Sequence, residues 1–363
     1  MNQVMLSKEF KTYEFTHSFI IDVLTWAKDN PGTTIYTDIN KSTMTINFKK
    51  MINTNRFRGK LQAYVLSLCN CNEIKLVYEY YLLFTHNYFK ILSGQIAVTI
   101  NLTEKTISEI KPFFDYVYDN LLDCKSLWAV YNSNAKFVKR NELRKLLSKS
   151  YKVCPYCDLV DMNDPTSSNM DHFLPLSEFP FLSVFWGNIV CACSICNGHQ
   201  IKNNNWAIPI LHPYINSIHN NTRFVFNKTD KSIQVEPIHS SLYDNSPEVN
   251  FIKVLKQNIR YNNLWDYVQN EENEIVEEVC ELYNTLKGKN WKEIHVIRSV
   301  ECRRKEHLSN IGKITHSRLR MGYCDYFVLK EADLSMEFLE SENKKRQMRI
   351  KERQQLIFEE CRQ

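Results

Sequence analysis

The spacing of apolar residues along the first third of the chain predicts helices. Apolar positions recur at helical intervals, which indicates elements with one buried face. Thr103 is a suitable N-cap residue for the last of these helices, and Pro112 predicts a kink or a break inside it. The predicted helices are 15–28, one or more within 61–92, and 104–122. The first of them ends at the turn residues 30–32.

Alternating apolar and polar residues predict a few strands among these helices. After about residue 250 the helical pattern becomes almost continuous. The predicted strands are 33–48 (a hairpin or two strands), 95–102, 222–226 and 232–235, and the later helices are 250–286, 291–311 and 332 to the end.

The composition is that of a globular protein with an unusual number of cysteines. The chain has 363 residues, 12 cysteines and a net charge of +5, so it can form two or three domains. No apolar run reaches the roughly 20 residues that span a bilayer, and no signal-peptide pattern is visible at the N-terminus. We therefore expect a cytoplasmic protein whose cysteines outside the motif below are free thiols, mostly buried. These are Cys69, Cys71, Cys124, Cys191, Cys280, Cys302, Cys324 and Cys361.

Two Cys-x-x-Cys pairs stand in the middle of the chain. They read Cys154-Pro-Tyr-Cys157 and Cys193-Ser-Ile-Cys196, and 35 residues separate them. A two-residue spacer places both thiolates of a pair on one side of a tight turn, so two pairs can surround a tetrahedral Zn²⁺. Because four thiolates leave no open position for water, the predicted zinc is structural. The pattern alone also fits a zinc ribbon that only stabilises the fold or binds a partner.

The segment between the pairs carries residues suited to chemistry. Asp171 and His172 are adjacent, so in a strand their side chains point to opposite faces. A carboxylate is a good Mg²⁺ ligand, and a neutral imidazole can take a proton from water. Asn197 follows the last cysteine, where we expect a helix to begin, so its amide oxygen could face Asp171.

The order Asp171-His172, Asn188, Asn197 between two Cys-x-x-Cys pairs resembles the HNH (ββα-metal) endonucleases. The string Asp171-His172-Phe-Leu-Pro is most similar to the HNH nuclease subunit of Septu-type and retron-linked anti-phage systems, which works with an ATPase. The resemblance covers residues 145–215. It implies phosphodiester hydrolysis in which Asp171 and Asn197 hold Mg²⁺ or Mn²⁺, His172 is the general base, and Asn188 braces the loop.

The sequence departs from the pattern of these relatives at one place. They often carry a lysine four residues after the last zinc cysteine, whereas Lys202 comes six after Cys196. This puts a phosphate contact by Lys202 in doubt, and it leaves His199 as an alternative to Asn197 as the metal ligand.

A basic segment leads into the first cysteine pair. With Leu143, Leu146 and Leu147 it predicts an amphipathic helix that presents positive charge to nucleic acid, although a solvated helix face is the alternative. A second basic cluster is more ambiguous, and a third, in the C-terminal run, predicts an exposed helix and not a sequence reader. An acidic stretch over 271–281 suits a protein partner better than phosphate. The basic residues of the segment are Lys136, Lys139, Arg140, Arg144, Lys145, Lys149 and Lys152. The other clusters are Arg303-Arg304-Lys305 with Arg318 and Arg320, and the run 344–353.

Together these patterns predict an α+β, mostly helical protein, and the resemblance implies a central ββα-metal HNH finger held by a structural zinc. The predicted regions are an N-terminal accessory region (1–135), the finger with its basic helix (136–215), and a C-terminal, mostly helical accessory region (216–363). With the resemblance, the predicted function is a metal-dependent endonuclease that acts on nucleic acid, DNA in first place. The role in anti-phage defence with an ATPase partner is implied by the resemblance alone. An RNA or tRNA nuclease on the same site and a catalytically silent zinc-ribbon module are the alternatives.

Overall fold

The chain, described by a computed structural model, divides into two compact units. Unit 1 comprises 1–221 and 237–256, and unit 2 comprises 222–236 and 257–363. The structure describes residues 14–35, 44–55, 58–132, 137–163, 165–239, 244–286, 291–332, 334 and 336–360.

Helices supply most of unit 1, and they follow the predicted apolar spacing over 15–28 and between 61 and 92. The cap predicted at Thr103 is confirmed, since its hydroxyl accepts a hydrogen bond from the Thr106 amide at 3.2 Å. The helices are α1 (Phe15–Asp29), α2 (Ile46–Ile52), α3 (Arg58–Cys69), α4 (Ile74–Leu92), α5 (Glu104–Tyr116), α6 (Lys125–Tyr131), α7 (Arg140–Tyr151), α8 (Ile218–Asn221) and α9 (Pro247–Val254).

Three expectations for the first 135 residues are wrong in part. Helix α5 does not break at Pro112; it runs on to Tyr116 and into a π-helical turn, Val117–Leu121. Because Pro112 has no N–H, the Ser108 carbonyl loses its helical hydrogen-bond donor. Both residues are exposed, so water can bond to that carbonyl. Of the predicted strands over 33–48, residues 36–43 lie outside the described residues and 46–48 begin α2.

The third expectation, a strand over 95–102, fails because its backbone groups have another partner. The Tyr80 hydroxyl donates to the Thr99 carbonyl at 2.9 Å and accepts from the Asn101 amide at 3.0 Å. A side chain of α4 therefore takes the place of a neighbouring strand, and the segment stays irregular.

A two-stranded antiparallel hairpin lies at the centre of the chain. Strand β1 (Ser168–His172) pairs with β2 (Ile189–Cys193), with Ser168 opposite Cys193 and His172 opposite Ile189. The connecting loop contains 3₁₀ turns at Pro180–Leu182 and Trp186–Asn188.

Helices α4 and α5 hold that loop in place. Phe179 and Phe181 are fully buried, and their ring centroids lie 5.7 and 5.6 Å from that of Phe84 on α4. The Ser183 hydroxyl donates to the Phe114 carbonyl at 3.1 Å. Each buried phenylalanine contributes on the order of 2 kcal/mol, so the first 135 residues form part of the frame around the hairpin.

Unit 2 combines a second hairpin with long helices. The two predicted strands are confirmed, and the pattern over 250–286 is helical with interruptions, one of them at Lys256, which has a positive φ of 44°. The helix preceded by His316 was not predicted; Gly322 within it lies so close to Phe224 that a Cβ would come within 2.7 Å of the ring. The elements are β3 (Thr222–Asn227), β4 (Ser232–Pro237), α10 (Gln257–Asn262), α11 (Trp265–Thr285), α12 (Glu293–Asn310), α13 (Ser317–Lys330) and α14 (Met336–Glu360).

The fold is mostly helical with small antiparallel sheets, which is compatible with the predicted α+β class. Regions 1–135 and 136–215 fall within one compact unit, whereas 216–363 is divided between both. The three predicted functional regions stay a prediction, because one compact unit can contain more than one functional region. In the described part of the chain, no helix has both the length and the apolar character needed to cross a membrane.

Candidate metal centre and active site

The four cysteines of the two pairs lie together in unit 1. Their sulfur atoms are all within 4.8 Å of one another, and the Cys157 and Cys193 sulfurs are 4.0 Å apart. All four thiols are buried and free of disulfides. Tetrahedral zinc has Zn–S bonds of about 2.3 Å, which place the sulfurs about 3.8 Å apart. The cluster could therefore hold a metal ion such as zinc.

Local turns bring the two pairs into position. At the first pair, the Asp158 amide donates to the Cys154 carbonyl at 2.9 Å, and Asp158 adopts a positive φ of 57° to close the turn. At the second pair, the Cys196 amide donates to the Cys193 sulfur at 3.4 Å, and the Cys193 amide donates to the Cys154 sulfur at 3.3 Å. Amide donors directed at sulfur stabilise thiolates, the form in which cysteine binds metal.

The helix expected after β2 does not form. Residues 194–204 make a series of turns instead, in which the Asn197 amide donates to the Cys193 carbonyl at 3.0 Å. A Cβ at Gly198 would lie 3.0 Å from the Ser194 carbonyl oxygen, so the chain doubles back here more tightly than side chains usually permit. His199 is exposed, and its Nδ1 lies 3.0 Å from the Asn203 amide oxygen.

His172 ends β1 and is held in a defined tautomer. Its Nε2 lies 2.9 Å from the Ser183 carbonyl oxygen, which can only accept, so Nε2 carries the proton and Nδ1 carries a lone pair. The ring packs edge-to-face against Tyr118 with centroids 4.7 Å apart. Burial lowers the pKa of His172 to about 4, and the imidazole is neutral at physiological pH.

Asn188 is fully buried and joins the loop to the helical frame. Its amide oxygen accepts from the Tyr88 hydroxyl and from the Leu174 amide, both at 2.7 Å, and its amide nitrogen donates to the Leu174 carbonyl at 3.0 Å. The side chain thus bonds to backbone on the strand-to-loop junction, two residues after His172. Loss of these bonds would leave buried groups unsatisfied, at about 1–3 kcal/mol each.

Asp171 lies in a buried ion pair. Its Oδ1 is 2.9 Å from the Lys202 ammonium, and its Oδ2 accepts from the Tyr156 hydroxyl at 2.6 Å; the side chains of Asp171 and Lys202 are 4% and 1% exposed. Burial raises the pKa of Asp171, and the Lys202 charge offsets only part of that effect. Lys202 also donates to the backbone carbonyl of His172 at 2.8 Å. Because the carboxylate is almost completely buried and already lies against an ammonium, it does not, as arranged, fit the role of a Mg²⁺ ligand.

Asn197 lines an open cleft of about 520 Å³ beside helix α7. Arg140 and Arg144 line the same cleft, and Arg144 donates to the Ser168 carbonyl at 2.7 Å. Arg140 lies 4.5 Å above the Tyr118 ring and pairs with two acids, Asp119 at 3.1 Å and Asp123 at 3.3 Å.

Helix α7 has the predicted amphipathic character. Leu143 and Leu147 are buried, whereas Leu146 is exposed, contrary to prediction. Lys136 lies outside the described residues. The exposed lysines of this segment, which give it a positive face, are Lys139, Lys145, Lys149 and Lys152.

Several arginines of the other basic clusters pair with acids inside unit 2. Arg303 pairs with Glu271, Glu274 and Glu278 of α11, and Arg304 pairs with Asp325. In the C-terminal run, the Arg346 guanidinium pairs with Glu277 at 2.9 Å and with Glu281 at 2.6 Å. Much of the acidic stretch predicted as a partner surface is therefore neutralised within the same unit.

Several residues around the site had no sequence signal. Tyr88 and Tyr118 belong to segments for which the sequence predicted only helices, and Ser183 acts through its backbone carbonyl. Tyr156 could have been noticed, since it stands within the first cysteine pair. The sequence argued against a phosphate contact by Lys202 and did not predict its pairing with Asp171.

Comparison with known proteins shows a distant similarity to a curated protein. Over 92 residues the chain is 29% identical to the Septu protein PtuB of Bacillus thuringiensis, a match that covers 25% of this chain and 36% of the relative. No family model matches the chain, and no solved structure gives a significant match. The chain is thus distantly similar to a protein of a Septu system over about a quarter of its length.

Proposed function

We propose that this chain is an HNH-type endonuclease that hydrolyses phosphodiester bonds of nucleic acid, with DNA as the expected substrate. The observation that carries the proposal is His172, a neutral imidazole whose Nε2 is fixed by the Ser183 carbonyl and whose Nδ1 is left with a lone pair. The similarity to a Septu protein supports a role in anti-phage defence, and the sequence resemblance adds an ATPase partner.

In this proposal, His172 takes the proton from the attacking water at Nδ1. Its low pKa keeps the base form populated, and an anionic phosphate nearby would raise that pKa and strengthen the base. Asn188 fixes the loop after the strand through the Leu174 backbone. The exposed lysines of α7 attract the phosphate backbone without reading its sequence.

The resemblance implies two metal ions, and the residues present fit one of them but not the other. Cys154, Cys157, Cys193 and Cys196 fit a structural zinc, which would supply folding free energy to the hairpin. A catalytic Mg²⁺ or Mn²⁺ at Asp171 and Asn197 does not fit the carboxylate as arranged. The roles derived above therefore belong to the protein side chains alone.

A plasmid-cleavage assay with His172→Ala tests the proposal. The full chain, copurified with the product of its neighbouring gene, is assayed with Mg²⁺ or Mn²⁺ and then with EDTA. We expect cleavage to fall by at least 10²-fold, since a general base contributes about that much or more. Zinc content should stay nearly unchanged. The loss of a buried ring should lower the melting temperature by a few degrees, and the variant should remain folded at the assay temperature.

His86→Ala is the matched control, because that histidine is exposed on helix α4 and is not one of the candidate site residues. It should cut like the wild type. Parallel assays on tRNA and single-stranded RNA decide between the substrate classes. Wild-type cleavage by His172→Ala would reject the HNH mechanism and favour a zinc-ribbon module.

A further inference from the structure

Each partner of the ion pair between Asp171 and Lys202 makes a further hydrogen bond in the site. The ammonium lies 2.9 Å from Oδ1 of Asp171 and 2.8 Å from the backbone oxygen of His172. The Tyr156 hydroxyl donates a hydrogen bond to the other carboxylate oxygen at 2.6 Å. Both charged side chains are almost completely buried. A buried carboxylate needs such partners, because isolated charges in the protein interior are strongly disfavoured.

The position of Lys202 is set by the second cysteine pair. Its backbone amide donates to the Cys196 carbonyl at 3.2 Å, which fixes the start of the side chain at the thiol cluster. Lys202 thus connects three features of unit 1: the cysteine cluster, the carboxylate of β1 and the backbone of the proposed base.

A divalent ion at Asp171 would compete with this ammonium. It would have to reach a carboxylate that is only 4% exposed and lie beside the Lys202 ammonium, which is 2.9 Å from Oδ1 and whose like charge repels it. Relief of that repulsion would require Lys202 to move. A displaced Lys202 would also release the His172 carbonyl.

We propose that Lys202 is the resident cation of Asp171 and that the pair positions His172, so that Asp171 is a positioning residue and not a metal ligand. The catalytic consequence rests on the proposed nuclease function, whereas the charge arrangement does not. Lys202 and Asp171 hold the main chain at the end of β1, and the Ser183 carbonyl holds the ring.

The experiment compares Asp171→Asn, Lys202→Met and the double variant, with Lys256→Met as a matched control. Lys256 also donates to a backbone carbonyl, that of Gln200 at 2.7 Å. Melting is measured first. Each single variant should lower the melting temperature by about 10 °C, because it leaves one buried charge or its partner unmatched, and the double variant should recover most of that loss. Additive losses would contradict the pairing.

Mn²⁺ binding, measured by titration without nucleic acid, tests the metal question. We expect Asp171→Asn to match the wild type within about twofold, or neither protein to bind detectably. A tenfold or greater loss in Asp171→Asn would overturn the proposal and make Asp171 a metal ligand. Neither melting nor Mn²⁺ binding depends on nuclease activity, so both remain informative if the enzyme proposal fails.

Kinetics of the double variant tests the positioning role. This variant keeps the packing and is expected to fold, so its defects can be assigned to the site. We expect kcat to fall by about 10- to 100-fold with KM unchanged, because a small displacement of a catalytic group has an effect of that size. An unchanged kcat in the folded, zinc-loaded double variant would show that the pair does not position His172.

Discussion

Asp171 of unit 1 and Glu271 of unit 2 are both buried acids that bind cationic side chains, yet their surroundings differ. Asp171 has a single ammonium partner, Lys202, and a tyrosine hydroxyl. Glu271 is bound by Arg303, by His307 at 2.8 Å and by Arg320 at 3.7 Å.

The two carboxyl groups differ in pKa accordingly. Burial by itself raises the pKa of both groups, since it disfavours the charged form. At Glu271, hydrogen bonds and charges from His307 and Arg303 outweigh burial, and the pKa is lowered. At Asp171, Lys202 and Tyr156 do not compensate fully, and the pKa is raised. The acid beside the proposed base is thus less well compensated than the acid of the helical scaffold.

A similar contrast separates the two possible metal sites. The four buried cysteines offer donors suited to zinc. Glu271, His307 and Cys324 also lie close together, but Arg303 and Arg320 already supply positive charge to that carboxylate. We interpret the first group as a metal centre and the second as an ion-pair network that joins helices α11, α12 and α13.

Metal removal should produce the largest difference in stability between the two units. We expect about one zinc per purified chain, and chelation or Cys154→Ser/Cys193→Ser should unfold the hairpin region of unit 1, because structural zinc supplies on the order of 10 kcal/mol. Elemental analysis gives the zinc content, and hydrogen exchange of peptides from each unit reports where protection is lost. Helices of unit 2 should keep theirs.

Cys302→Ser is the control for this experiment, since Cys302 is exposed and belongs to unit 2. It should retain both zinc and protection. A zinc-free wild type, or unchanged melting in the double serine variant, would reject the structural metal.

Loss of Glu271 should have the next largest effect, confined to unit 2. Glu271→Gln leaves Arg303 and His307 without their buried carboxylate, and we expect a loss of about 3–5 kcal/mol in unfolding free energy. Glu274→Gln is matched to it, because Glu274 pairs with the same Arg303 but is about half exposed. It should cost less than about 1 kcal/mol. Equal losses from the two variants in denaturant titrations would contradict the distinction.

Much of this organisation could be predicted from local sequence patterns. The cysteine spacing indicated the cluster, apolar periodicity indicated α1, α4 and α7, and alternation indicated β3 and β4. Helix α13 was not predicted, because basic residues interrupt its apolar pattern and one of them, Arg318, is buried.

The contacts that define the site are long-range, and no local pattern contains them. Lys202 is 31 residues from Asp171, and Tyr88 is 100 residues from Asn188. The tautomer of His172 depends on a backbone carbonyl in the loop, which any residue at position 183 would present. The missing helix after β2 depends on the tight turn at Gly198 and on the burial of Lys202.

Acid should destabilise the two units in different pH ranges. The loss of stability should be smaller than the losses from zinc removal and from Glu271→Gln. Burial lowers the pKa of His212 in unit 1 to about 3, from about 6.5 when unfolded, and lowers that of His172 in the same direction. The unfolded state therefore binds more protons, and stability falls as the pH drops below 6.5. Glu271 has a lowered pKa, so its contribution is present above about 4.5 and is lost only below that value.

Between pH 7 and 5, unit 1 should lose about 2 kcal/mol through His212 alone, at about 1.4 kcal/mol per pH unit below 6.5. His212→Asn should remove this part of the slope and leave the part due to His172. The variant should fold, because its amide oxygen can still accept from the Tyr214 amide, which in the wild type donates to Nδ1 at 3.2 Å. His199→Asn, at an exposed histidine, should leave the slope unchanged. Hydrogen exchange of unit 1 and unit 2 peptides at both pH values measures it. Equal acid sensitivity of the two units in this range, or an undiminished slope in His212→Asn, would show that the buried histidines do not set the difference.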